Sequence, residues 1–234
     1  MTREALIVAH GQPSDPDGPE AEIEALAARV AALLPGWRVG GATLAAPGAL
    51  EAAVAELEDP VVFPFFMSDG WFIRSNLPAR LAKAGRDGLR ILTPFGLLPG
   101  ANALALRLAR EEAAEAGWAA PDTTLILAAH GSGRSPQPAE TARETAGYIA
   151  ERADFAEVRV GFIEQDPRIA QVLIEAGRSS ILLPLFVARW GHVLDDIPAA
   201  VEEAGFRGRI LPPLGTHRDV PAIIAEAISK AVAA

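Results

Sequence analysis

His10 and His130, Pro47 and Pro167, Pro64 and Pro184, and Pro78 and Pro198 are each separated by 120 positions. Gly96 and Gly215 continue the series at 119, one residue short. In a chain of 234 residues this spacing means one fold built twice. Each half opens with a short apolar run that stops at His-Gly and is followed by a helical pattern, which reads as strand, tight loop, helix. In an open α/β sheet that loop lies at the carboxyl edge, where ligands bind.

The alternation continues through both halves. In the first, residues 5–9, 37–43, 61–66 and 89–92 read as strands. Helices are expected near 23–33, 49–57, 77–84 and 101–116, with Ile23, Leu26, Val30 and Leu33 on one face. In the second, strands fall at 123–129, 158–163, 181–186 and 209–211, with helices at 139–152, at 167–176, through Ile197 and Val201, and from about 220. Such alternation predicts parallel sheets covered by helices on both faces. The expected fold class is α/β, with two duplicated βαβ-rich domains at 1–117 and 123–234 and an active-site cleft between their carboxyl edges.

Composition narrows the ligand. Half the residues are hydrophobic and the net charge is −9 with Lys and Arg scattered, which argues for a small-molecule partner and against nucleic acid or an anionic membrane. The absence of cysteine excludes disulfides, thiolate metal sites and cysteine-ligated iron–sulfur clusters. The apolar run at 5–9 is too short for a signal-peptide core and no segment approaches a membrane span, so a cytoplasmic protein is expected. Nothing fixes the oligomeric state, and a homo-oligomer stays open.

If one half carries the function, the informative positions are those where its copy lacks the chemical group. Glu164 matches Leu44 at 120 residues and His192 matches Phe72, whereas His130 keeps its partner in His10. His130, Glu164 and His192 each follow the end of a strand in one sheet and so can converge. Two imidazoles and a carboxylate suit Fe2+, Co2+, Ni2+ or Zn2+ and leave a coordination position open. Taken singly, Glu164 also fits a helix-capping carboxylate and His10 a hydrogen-bonded loop residue.

Asp195 and Asp196 either orient His192 or supply helix N-terminal acidity. Ser132, Arg134, Arg189, Trp190 and Arg218 lie on loops at the same edge, His217 follows the last strand, and Phe72, Trp71 and Arg74 come from the first half. Arginines there can pair with ligand carboxylates, and the aromatic rings can pack on a flat ligand or merely on each other.

His130-Gly-Ser, Phe-Ile-Glu164 followed by Pro167, and Gly191-His192-Val-Leu-Asp-Asp-Ile-Pro198 resemble the CbiX-type sirohydrochlorin chelatases among the class II tetrapyrrole chelatases. The resemblance covers both halves. It implies a chelatase-like fold and an ATP-independent metal chelatase, a lyase of cobalamin or siroheme biosynthesis. The metal, Co2+ or Fe2+ with Ni2+ left open, is a substrate, the other partner is a tetrapyrrole, and no nucleotide cofactor is expected. The family's metal-binding histidines map onto His130 and His192 and its acidic residue onto Glu164. Many two-domain relatives carry the histidine pair in the N-terminal half, whereas here it falls in the C-terminal half, as in CbiK-type cobaltochelatases and protoheme ferrochelatases. Two other readings stay open: a carrier that binds metal or tetrapyrrole without insertion, and a metal-dependent hydrolase using the same groups.

Overall fold

The computed structural model describes residues 3–233. β1 (Arg3–Ala9) is followed by α1 (Asp17–Leu33), β2 (Trp37–Thr43), α2 (Ala49–Ala55), β3 (Val61–Pro64), a π-helical turn at Phe72–Asn76 and α3 (Leu77–Lys83). The helix α4 (Pro99–Glu115) leads into β4 (Thr124–Ala129), α5 (Gln137–Ala150), β5 (Glu157–Phe162), α6 (Ile169–Ile174) and β6 (Ser180–Pro184). Then come α7 (Gly191–Leu194), α8 (Asp196–Ala204), β7 (Arg209–Ile210) and α9 (Val220–Ala233).

The strands form two parallel sheets of order β2-β1-β3 and β5-β4-β6-β7. β1 and β4 are central and covered on both faces, which is why they read as unbroken apolar runs. Leu6 and Val8 pack with Leu50, Val54, Leu77 and Leu81 of α2 and α3. Ile126 and Ala128 pack in the same way with Ile169, Val172 and Leu173 of α6 and Ile197 of α8. At about 1.5–3 kcal/mol for each fully buried aliphatic side chain, these layers are the main favourable term of each unit. The strand expected at 89–92 is only a single bridge, Ile91 to Val62, because turn residues Gly88 and Pro94 leave little room for a longer pairing. No helix among the described residues is long and apolar enough to cross a membrane.

The compact units do not divide at the stretch 117–123. One combines the chain up to Leu98 with the chain from Arg218 on, and the other is Pro99–His217. The last helix of each half has therefore changed places relative to the boundary read from sequence. α4 packs on α5 and β6 of the second unit, where Asn102 accepts a hydrogen bond from Thr145 at 2.9 Å and Glu112 faces Arg209 at 3.5 Å. α9 packs on α1 and β3 of the first unit, with Ile224 and Ile228 fully buried and Arg90 donating to the Ala231 carbonyl. An amphipathic helix shows which of its faces is apolar but carries no mark of which sheet that face covers.

Candidate functional site

The strand order of the second sheet places its site. From β4 the chain crosses to β5 on one side and then to β6 on the other, so the loops after β4 and β6 diverge over a crevice at the carboxyl edge. His130 is the first residue after β4, His192 lies in α7 beyond β6, and Glu164 follows β5. The fold thus brings together three groups that are up to 62 residues apart in sequence.

The two imidazoles meet through like nitrogens. His130 Nε2 lies 3.1 Å from His192 Nε2, with the ring centroids 4.5 Å apart at 85°. His130 Nδ1 is 2.9 Å from the Gly131 carbonyl oxygen, and His192 Nδ1 is 2.7 Å from Asp196 Oδ2. A carbonyl or carboxylate oxygen only accepts, so each Nδ1 carries the hydrogen and, in the neutral rings, each Nε2 presents a lone pair. The pair is therefore two facing lone pairs at contact distance. Two donors 3.1 Å apart can both sit about 2.0–2.1 Å from one divalent ion at an angle of roughly 100°.

Glu164 stands beside this pair. Its amide donates to the His130 carbonyl at 2.9 Å, and its Oε1 is 3.8 Å from His130 Nε2 with half the side chain exposed. Among the described residues no group of three or more His, Asp or Glu is gathered at metal-ligating geometry. The expected three-donor set is thus a two-imidazole edge with a carboxylate next to it, since the nearest Glu164 oxygen is 3.8 Å from His130 Nε2.

The loop after His130 is held from below. Gly131 has φ +70°, and a Cβ there would lie 2.8 Å from Gln165 Cγ and 3.0 Å from Phe162 Cβ, so the position requires glycine. Gln165 in turn accepts from the Ser132 amide at 2.8 Å, and Ser132 Oγ accepts from the Arg134 amide at 3.1 Å. Beside Glu164 a cavity of about 700 Å³ is lined by Ser132, Gly133, Arg134, Glu164 and Arg168. Gln165 and Arg168 are the participants the sequence reading missed. Arg168 had a usable signal, since it matches Gly48 at 120 residues and both are helix N-caps.

The structure corrects one match between the halves. Leu44 and Ala45 donate to the carbonyls of Ala9 and His10, and Ile163 and Glu164 donate to those of Ala129 and His130. Glu164 therefore corresponds to Ala45, not to Leu44. The extra residue of the second half lies in Gln165-Asp166, which stands against Ala46 alone before the prolines realign. His192 does correspond to Phe72, for His10 meets the Phe72 ring edge-on at 4.4 Å and 84°.

The remaining candidates separate. Asp196 is the carboxylate that binds His192, one helical turn away, whereas Asp195 stands at the N-cap position of α8 without a side-chain capping bond and gives its amide to the Gly191 carbonyl. Arg189 is exposed and Trp190 half-buried just before α7. His217 is half-buried after the 3₁₀ turn Leu214–Thr216. Phe72 and Arg74 belong to the first unit, as does Arg218, which faces Asp219 at 3.9 Å. Arg74 pairs with Asp69 at 3.1 Å, and Trp71, next to Phe72, is 60 % exposed.

Known proteins resemble this chain in sequence and in fold. The CbiX family profile matches residues 124–231, the stretch that contains His130, Glu164 and His192. A sirohydrochlorin cobaltochelatase of Methanopyrus kandleri is 33% identical over 79 residues, which cover 32% of this chain and about half, 54%, of that protein. SirB from Bacillus subtilis, solved with Fe3+, superposes with a TM-score of 0.77 at 14% identity over 98% of this chain and 95% of its own, which is a likeness of fold. The structure of CbiX, described as the terminal enzyme for biosynthesis of siroheme in denitrifying bacteria, superposes with a TM-score of 0.91. It is 50% identical, with 98% of this chain and 99% of that one covered. With a chelatase fold throughout and half its residues shared over the full length of a solved CbiX, the chain belongs to the CbiX family.

Proposed function

We propose that this chain is a metal chelatase that inserts a divalent ion into sirohydrochlorin at the carboxyl edge of its second sheet. The observation that carries the reading is the pair of lone pairs at His130 and His192, 3.1 Å apart, with each Nδ1 already bonded. A divalent ion between them satisfies both nitrogens, and two protein donors leave its other positions free for pyrrole nitrogens. As the ion enters the ring two pyrrole N–H protons must leave. Glu164, next to His130, accepts one, and the second passes through an imidazole freed when the ion departs. Asp196 fixes the tautomer and orientation of His192. Fe2+ is the first metal to test because the 50%-identical CbiX is described as a siroheme enzyme, and Co2+ is the second because the archaeal relative is a cobaltochelatase.

Absorbance of sirohydrochlorin with Fe2+ or Co2+ tests the reading, with the wild type and the His130→Ala and His192→Ala variants compared against the spontaneous rate. Acceleration by the wild type that is lost in both variants is expected. A wild type that binds the ion at this pair but never exceeds the spontaneous rate overturns insertion in favour of a carrier.

A further inference from the structure

The second unit carries one charged feature that metal handling does not use. Arg134 and Arg168 line one cavity with Ser132, Gly133 and Glu164. Their counterparts in the first half at 120 residues are Ser14 and Gly48, so both cations appear only in the half that carries the histidine pair. Arg168 also serves the backbone, donating through Nη1 to the Ile163 carbonyl, and Asp166 lies 3.8 Å from its Nε. A guanidinium has five N–H donors in a rigid fork, and one carbonyl uses one of them. The first half satisfies the matching Leu44 carbonyl with Arg80 from α3 instead, and there Glu51 occupies the rest of the fork. The second half caps the same carbonyl from the loop, which leaves a half-exposed guanidinium facing the cavity.

We infer that Arg134 and Arg168 form a carboxylate clamp that reads the acidic rim of the macrocycle while its centre meets the histidine pair. The inference rests on the chelatase reading and names the chemical class of ring that the site selects, one whose periphery carries free carboxylates. Planar guanidinium forks bind carboxylates in bidentate fashion, and in a chain of net charge −9 two half-exposed or exposed guanidiniums in one cavity, only one of them facing a carboxylate within 4 Å among the described residues, mark where an anion is welcome. Arg134→Met, Arg168→Met and the double variant test the clamp by fluorescence titration of metal-free sirohydrochlorin and of its methyl esters. Co2+ titration and insertion assays run in parallel. The wild type is expected to prefer the free acid, each substitution to weaken that binding roughly tenfold, and the double variant to lose the preference with Co2+ affinity unchanged. Arg168→Lys, which keeps the charge and loses the fork, should fall between. A double variant that still prefers the free acid overturns the clamp. A wild type that prefers the free acid through these arginines yet inserts no metal supports the clamp and overturns the chelatase reading, while one that binds neither form overturns both.

Discussion

At the first sheet His10 meets Phe72 edge-on with centroids 4.4 Å apart at 84°, and at the second His130 meets His192 at 4.5 Å and 85°. In both units the histidine Nδ1 lies 2.9 Å from the carbonyl oxygen of the following glycine, Gly11 or Gly131, and each glycine has positive φ. The duplicated edge therefore keeps its backbone and its ring packing while one ring changes from carbon to nitrogen. A phenyl ring fills the same space and presents a C–H where the imidazole presents a lone pair. Packing and metal chemistry are thus separable at this position, which lets one copy drop the chemistry without disturbing its fold.

The largest effect is expected from writing the first edge onto the second. His192→Phe should retain the T-shaped contact and the thermal midpoint while the rate of metal insertion falls at least about a thousandfold, since the several kcal/mol of the metal–imidazole contact is gone. Insertion kinetics beside a melting curve check it; a variant with the wild-type rate would break the assignment. The reverse exchange sharpens the comparison. Phe72→His with Ala45→Glu should let the first unit hold a second equivalent of Co2+, counted by equilibrium dialysis. It should bind more weakly than the native pair because Asn76 stands where Asp196 does. A stoichiometry unchanged from wild type would mean that the first edge differs in more than these two side chains.

A smaller effect is expected at the carboxylate behind His192. Asp196→Ala should weaken Co2+ binding by roughly 10- to 100-fold, the usual cost of losing an orienting partner, whereas Asp195→Ala should change it little. Equal effects of the two would show that acidity of the α8 N-terminus, and not the 2.7 Å bond to Nδ1, is what matters.

Much of this contrast was legible in the sequence because the repeat supplied an internal reference. Glu164 and His192 stood out as additions at strand ends beside the repeated His130, and the parallel sheets bring strand ends to one edge. The choice of Asp196 over Asp195 was not legible, since both are acidic and only the i,i+4 spacing on a helical path aims one of them at the imidazole. The pairing of Glu164 with Ala45 was also hidden. One residue fewer between β4 and β5 is made up by the extra one after Glu164, so His130 and Pro167 both stay in step with the first half and the shift shows itself only in the strand register and in which amide meets the His130 carbonyl. The exchange of α4 and α9 was hidden for a different reason. Helix amphipathicity records burial, and either sheet offers an apolar face to receive it.

The smallest effect separates the two ways of capping the matched carbonyls of Leu44 and Ile163, just past β2 and β5. In the first unit Arg80 donates to the Leu44 carbonyl and is gripped by both oxygens of Glu51 at 3.1 Å, whereas the register partners in the second unit are Ala200 and Gln171. Partial burial pushes the Glu51 carboxyl up, but the hydrogen bonds from its own amide and from Arg80, with the charges of Arg80 and Lys83, outweigh it and hold the group below the ordinary glutamate range. A carboxyl depressed on folding binds fewer protons in the native than in the unfolded chain. Its contribution is therefore fully present above the ordinary value and is lost as pH falls through the depressed one. Because Glu51 is 39% exposed, the pair is worth about 1 kcal/mol or less, so Glu51→Gln should lower the melting midpoint by no more than roughly 2–4 °C near neutrality. The gap between wild type and variant should close on acidification, as melting curves recorded across that range would show. A gap that persists below the carboxylate range would mean that Glu51 acts through packing, and that the first unit's cap does not depend on its charge.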